Sequence, residues 1–124
     1  MENQVVIKKI LIPIDFSETS LLALDHATHL AKIEGSKVVL IHVLKSGSYS
    51  NILPSLTSGG EGVELRDEIS SRMNQIGSKF KADTGVDYEI VLAEGNVASQ
   101  VVDTANELDI ALIMMGTHGG SGFQ

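Results

Sequence analysis

Four short apolar runs alternate along this chain with three longer stretches in which apolar residues recur every three or four positions. The runs occupy residues 7–14, 37–43, 86–93 and 110–115. Contiguous runs rich in β-branched residues are strands, and a period near 3.6 marks an amphipathic helix. The order β-α-β-α-β-α-β leaves few choices. Parallel strands need long crossovers, and here every crossover is a helix. The expected fold class is α/β, a parallel sheet sandwiched by helices.

Local signals place the element ends. Pro13 cannot donate a ladder hydrogen bond, so pairing of the first strand should stop on one side there. Asp15 or Ser17 can cap the helix that follows, and Gly35 sits where its C-cap belongs. That helix carries a wide apolar face of Leu21, Leu22, Ala23, Leu24, Ala27, Leu30 and Ala31, ending near Ile33. Residues 44–60 form one long irregular stretch rich in Ser and Gly, a length usually reserved for functional or mobile loops. Leu65, Ile69, Met73, Ile76 and Phe80 then make a single stripe on a helix over about residues 62–82, as core or as dimer surface. Residues 86–93 alternate apolar and polar, which suits a strand near an edge. Gly95 and Asn96 turn into a helix carrying Val97, Val101, Val102, Ala105 and Leu108. The last run, 110–115, is wholly apolar and should lie inside the sheet, paired on both sides. As an edge it would invite aggregation, so a further helix and strand, or another chain, should cover it.

At 124 residues, one domain over 1–124 is expected. The absence of cysteine excludes a disulfide scaffold, a thiolate metal site and a cysteine nucleophile. A net charge of −7 without clustered cations argues against nucleic acid and anionic membrane as partners. The N-terminus lacks the pattern of a signal peptide, and no apolar run is long enough to span a bilayer, so the cytoplasm is the expected compartment. A small anionic ligand stays open, because backbone amides bind phosphate without net positive charge.

Two places can carry such chemistry. Gly116-Thr117-His118-Gly119-Gly120-Ser121-Gly122 directly follows the last apolar run. Its glycines let the backbone approach a ligand and turn successive N–H groups toward it, although a flexible turn has the same composition. It is not a P-loop, lacking Gly-Lys-Ser/Thr, and no dinucleotide fingerprint opens the first helix. Asp15 ends the first strand at the carboxyl edge, where open α/β sheets bind ligands at the reversal of strand order. There it can accept from ribose hydroxyls, or act simply as a helix cap. His26 and His29, three apart on a helix, have no third ligand placed by sequence and read as surface residues. His42 reads as a half-buried strand residue. Neither a nucleophile elbow nor a nucleophile–base pair is present. A phosphorylation receiver is rejected because Leu92-Ala93-Glu94 stands where its aspartate would end the third strand.

Three motifs carry a resemblance. Lys8-Lys9-Ile10-Leu11-Ile12-Pro13-Ile14-Asp15-Phe16-Ser17-Glu18, Leu40-Ile41-His42-Val43 and Met115-Gly116-Thr117-His118-Gly119 resemble, in that order, the universal stress protein family. The Gly95 turn and the Asp109-Ile110 entry to the last strand fit as well. The resemblance covers nearly the whole chain. It implies a Rossmann-like five-stranded sheet of order 3-2-1-4-5, usually as a homodimer. It also implies ATP binding in many members, with Mg2+ as the accompanying ion. By the resemblance, Pro13 and Val43 line the adenine, Asp15 contacts the ribose, and Gly116, His118 and Gly119 lie at the phosphates. The family phosphate motif is Gly-x-x-Gly, nine residues, then Gly-Ser or Gly-Thr. Gly116 and Gly119 match its first half. The second half and the fifth strand would fall beyond Gln124, so a C-terminally incomplete domain, or one half of a tandem protein, is expected.

The function so implied is an adenine-nucleotide-binding stress-response module that acts as a sensor or switch through a protein partner. No general base stands over a phosphate, so hydrolysis would be weak at most. The alternative is a family member that binds no nucleotide and serves as a protein-interaction or dimerisation module. A phosphotransferase is the third reading and lacks catalytic residues.

Overall fold

The computed structural model describes residues 7–44 and 60–116, with side chains in the second stretch from residue 65 onward. The elements are β1 (Lys9–Pro13), α1 (Glu18–Glu34), β2 (Lys37–Leu44), α2 (Gly60–Thr84), β3 (Tyr88–Glu94), α3 (Val97–Glu107) and β4 (Leu112–Ile113). All strands are parallel, in the order β3-β2-β1-β4. The chain therefore moves outward from β1 to β3 and then crosses back to the other side of β1. That reversal puts α3 on the opposite face from α1 and α2, as the right-handed rule for parallel crossovers requires when the direction of travel reverses.

The alternation of side chains along the strands divides the core accordingly. Ile10, Ile12, Ile14, Val38, Leu40 and Leu44 pack with Ala23, Ala27 and Ala31 of α1 and Ile69, Met73 and Phe80 of α2. Leu11, Val39 and Ile41 face the other way and meet Val101 of α3. The stripe expected on α2 is thus core. Burial on both faces explains why β1 and β2 read as unbroken apolar runs.

Pro13 behaves as its chemistry requires. It still pairs with Ile41, and the next residue, Ile14, donates its N–H to the Ile41 carbonyl at 2.8 Å. Alternation turns the missing donor of Pro13 toward β4, and pairing with β4 stops at Leu11–Ile113. β4 itself differs from expectation. Among the described residues it is two residues long and stands at the sheet edge, with Ile113 and Met115 exposed.

α1 also differs. Its buried residues are Ser20, Ala23, Ala27 and Ala31, while Leu21, Leu22 and Ile33 face outward. The wide apolar face contained two possible stripes. Small side chains let the helix lie close to the sheet, and dense packing selects that stripe.

Candidate functional site

β1 ends in a tight turn into α1. The Asp15 carboxylate accepts the Ser17 N–H at 2.9 Å, closing an Asx turn over Phe16. Phe16 takes φ 67°, the left-handed region, which costs a bulky residue about 1–3 kcal/mol unless neighbours hold it. Ser17 is the N-cap of α1, its hydroxyl accepting the Ser20 N–H at 3.2 Å. Ser20, buried, returns its own hydroxyl to the Ser17 carbonyl at 3.0 Å and accepts the Asp15 N–H at 3.3 Å. Of the two capping candidates, Ser17 caps and Asp15 braces the turn before it.

This network acts on the charge of Asp15. Hydrogen bonds, first from the Ser17 side chain and then from the Ser17 N–H and Ser20, outweigh partial burial and hold its carboxyl below the usual aspartate value. Asp15 is a carboxylate at neutral pH, an acceptor able to take hydroxyl donors.

Gly116 closes the other side. A Cβ there would run into the Thr19 carbonyl oxygen and carbonyl carbon. The backbone after β4 therefore lies directly on the first turn of α1. The sequence offers this glycine for ligand approach or for a flexible turn; what the structure shows is a close approach to another piece of backbone.

Pro13, Asp15, Val43 and Gly116 all line one cleft of about 150 Å³ at the carboxyl ends of β1, β2 and β4. It lies on the α3 side of the sheet, where Val97, the first residue of α3, adds to its wall. Its floor and walls are apolar at Pro13, Ile41, Val43 and Met115, and Asp15, Ser17 and Thr19 supply oxygen atoms. This is less than the roughly 300–1,000 Å³ of sites that enclose a drug-sized ligand, so it has room for one ring system rather than for a whole larger molecule. His118 and Gly119 lie outside the described residues. His26 and His29 are exposed on α1, and among the described residues no group of three His, Cys, Asp or Glu could hold a metal ion. No described helix is long and apolar enough to cross a membrane. A wider groove of about 500 Å³ runs between α1 and α2, lined by Leu21, Ile76 and Phe80 with charges of both signs, away from the strand ends.

Sequence reasoning missed Ile41, Thr19, Met115 and Val97. Ile41 follows from strand register, and Val97 from the topology, since every helix after a strand starts at the carboxyl edge. Thr19 carries no signal of its own.

The fold agrees with what the chain is similar to. Residues 7–124 match the profile of the Universal stress protein family. Universal stress protein YxiE of Bacillus subtilis is 32% identical over 125 residues, covering 94% of this chain and 82% of that protein. Universal stress protein MJ0577 of Methanocaldococcus jannaschii is 28% identical over 129 residues, covering 93% and 79%. The solved structure of MJ0577 matches with a TM-score of 0.79 at 27% identity, covering 97% of this chain and 81% of that one. A universal stress protein solved in complex with cAMP matches in fold, with a TM-score of 0.65 at 18% identity and coverage of 88% and 72%.

Proposed function

The chain belongs to the universal stress protein family, and from that premise we propose that it binds an adenine nucleotide, ATP foremost, as a sensor or switch. The observation that carries the reading is the convergence of Pro13, Asp15, Val43 and Gly116 on one cleft. These residues come from three separate stretches of sequence, and the cleft stands at the reversal of strand order beside β1.

In this reading adenine enters between Pro13 and Val43, both apolar. The ribose hydroxyls donate to the Asp15 carboxylate. The phosphates extend along the backbone at Gly116 toward His118 and Gly119. Any Mg2+ arrives on the phosphates, since no acidic cluster among the described residues could hold it. The relative solved with cAMP holds an adenine nucleotide, which supports the ligand class. Among the described residues that line the cleft the one carboxylate, Asp15, is given to the ribose, so in this reading binding is the activity and a partner reads its outcome. The protein works in the cytoplasm, and the exposed Ile113 and Met115 at the β4 edge suit pairing with a second copy.

The test is direct. Freshly purified protein is denatured and the supernatant analysed for nucleotides, and stripped protein is then melted with and without ATP. A ligand binding only the native state at 100 times its Kd adds about 2.7 kcal/mol, a shift of several degrees. Stoichiometric ATP, ADP or AMP, or such a shift, supports the reading. An empty cleft and an unmoved melting temperature overturn it in favour of the protein-interaction alternative.

A further inference from the structure

The turn that carries Asp15 is held from the face of the sheet opposite the cleft. Phe16 occupies the left-handed region at φ 67°, which a phenylalanine does not adopt unaided. Two side chains from separate elements meet its ring. His42 of β2 lies with ring centroids 5.1 Å apart and planes inclined by 36°. Arg72 of α2 places its guanidinium carbon 3.9 Å from the ring centroid, within cation–π range. His42 also secures the residue before Asp15, its Nδ1 donating to the Ile14 carbonyl at 2.7 Å. Both chain neighbours of Asp15 are therefore fixed, Ile14 by a hydrogen bond and Phe16 by two ring contacts.

These groups stand apart from the cleft. Pro13, Ile41 and Val43 face it, and alternation along β2 turns His42 the other way, toward α1 and α2. Phe16, His42 and Arg72 do not line it. Their influence on a ligand passes through the backbone of the turn.

We propose that Phe16, His42 and Arg72 are positioning residues, which hold the left-handed turn and so aim the Asp15 carboxylate at the ribose. This rests on the reading of the cleft as an adenine-nucleotide site. If the ring contacts are lost, Phe16 relaxes toward the common backbone regions, the Asx turn opens, and Asp15 no longer faces the hydroxyls. Adenine and phosphate contacts are untouched. Discrimination for the ribose hydroxyls falls, while affinity for a nucleotide lacking them stays.

The experiment measures calorimetric affinities of the full chain for ATP and for 2′,3′-dideoxy-ATP, which differ in the hydroxyls and share every charge. The variants are Asp15→Asn, Arg72→Ala, Arg72→Lys and His42→Leu. Wild type should prefer ATP by about tenfold or more, the worth of one charge-assisted hydrogen bond. Arg72→Ala and His42→Leu should reduce the preference to within about threefold with dideoxy-ATP binding little changed, and Arg72→Lys should recover most of it. Arg72 is exposed, so its truncation leaves the core intact whatever His42→Leu does to folding. If both variants keep the wild-type preference while Asp15→Asn loses it, the positioning role is overturned and the ribose contact stands. If Asp15→Asn keeps the full wild-type preference, the carboxylate is not what takes the ribose hydroxyls, and this inference falls with it. A wild type that binds neither nucleotide overturns the nucleotide reading itself.

Discussion

Two glycines of this chain test the same physical idea with opposite expected outcomes. At Gly116 an added methyl meets the Thr19 carbonyl, which is backbone in the capped first turn of α1. Neither partner can turn aside. Either the end of β4 lifts from α1 or the helix start shifts, and overpacking of this kind costs about 1–3 kcal/mol. At Gly77, buried in the middle of α2, the methyl meets Cδ2, Cε2 and Cζ of the Tyr88 ring. That ring stands on the edge strand β3, half-buried, with its hydroxyl donating to the exposed Asn74 Oδ1 at 3.0 Å. It can swing outward and exchange that bond for water. Replacing glycine by alanine inside a helix also returns about 1 kcal/mol of helix propensity. Gly116→Ala should therefore destabilise by about 2 kcal/mol, and Gly77→Ala should change stability by less than about 1 kcal/mol. For a chain of 124 residues the first corresponds to a fall in Tm of roughly 6–12 °C, between the scalings for smaller and larger domains. Thermal melts followed by circular dichroism, at fixed protein concentration and without nucleotide, measure both. Gly116→Ala melting with the wild type would refute the close approach. Gly77→Ala costing as much as Gly116→Ala would refute the premise that the yielding of the neighbour decides the cost.

Further outcomes concern the turn before α1. Ser17→Ala removes the N-cap acceptor of the Ser20 N–H and should cost about 1 kcal/mol, read as a lower denaturation midpoint in urea at unchanged slope; an unchanged midpoint would refute it. The same substitution removes the Ser17 hydroxyl, the first cause that holds the Asp15 carboxyl below its usual value, so Asp15 should titrate higher in that variant, as followed by side-chain carboxyl NMR. Because folding lowers this carboxyl's pKa, its contribution to stability is complete above the usual aspartate value and disappears as pH falls through the lower folded value. The Tm difference between wild type and Asp15→Asn should accordingly be present near neutrality and vanish in that acid window. A difference independent of pH would show that the carboxylate's charge is not what the network stabilises.

Much of this protein was legible before any coordinates. The alternation of runs determined a parallel α/β sheet, since only helical crossovers can join parallel strands over these lengths. Strand ends follow directly from run ends, which brought Pro13, Asp15, Val43 and Gly116 to the carboxyl edge without knowledge of contacts. Gly35 announced the end of α1 through the chemistry of caps, while its start lay open between Asp15 and Ser17 until the structure chose Ser17. These are local rules, and local rules act through the residues next to one another in the chain. What only the tertiary structure decided are matters of distance between elements. Periodicity showed that α1 has an apolar face, but the close approach of helix to sheet chose its alanines over Leu21 and Leu22. Nothing in the spacing tied Gly116 to Thr19, or Arg72 to Phe16, because those pairs are distant in sequence and meet only once the layers have packed. The left-handed turn at Phe16 belongs to the same class: its own preference opposes it, and contacts from β2 and α2 hold it in place.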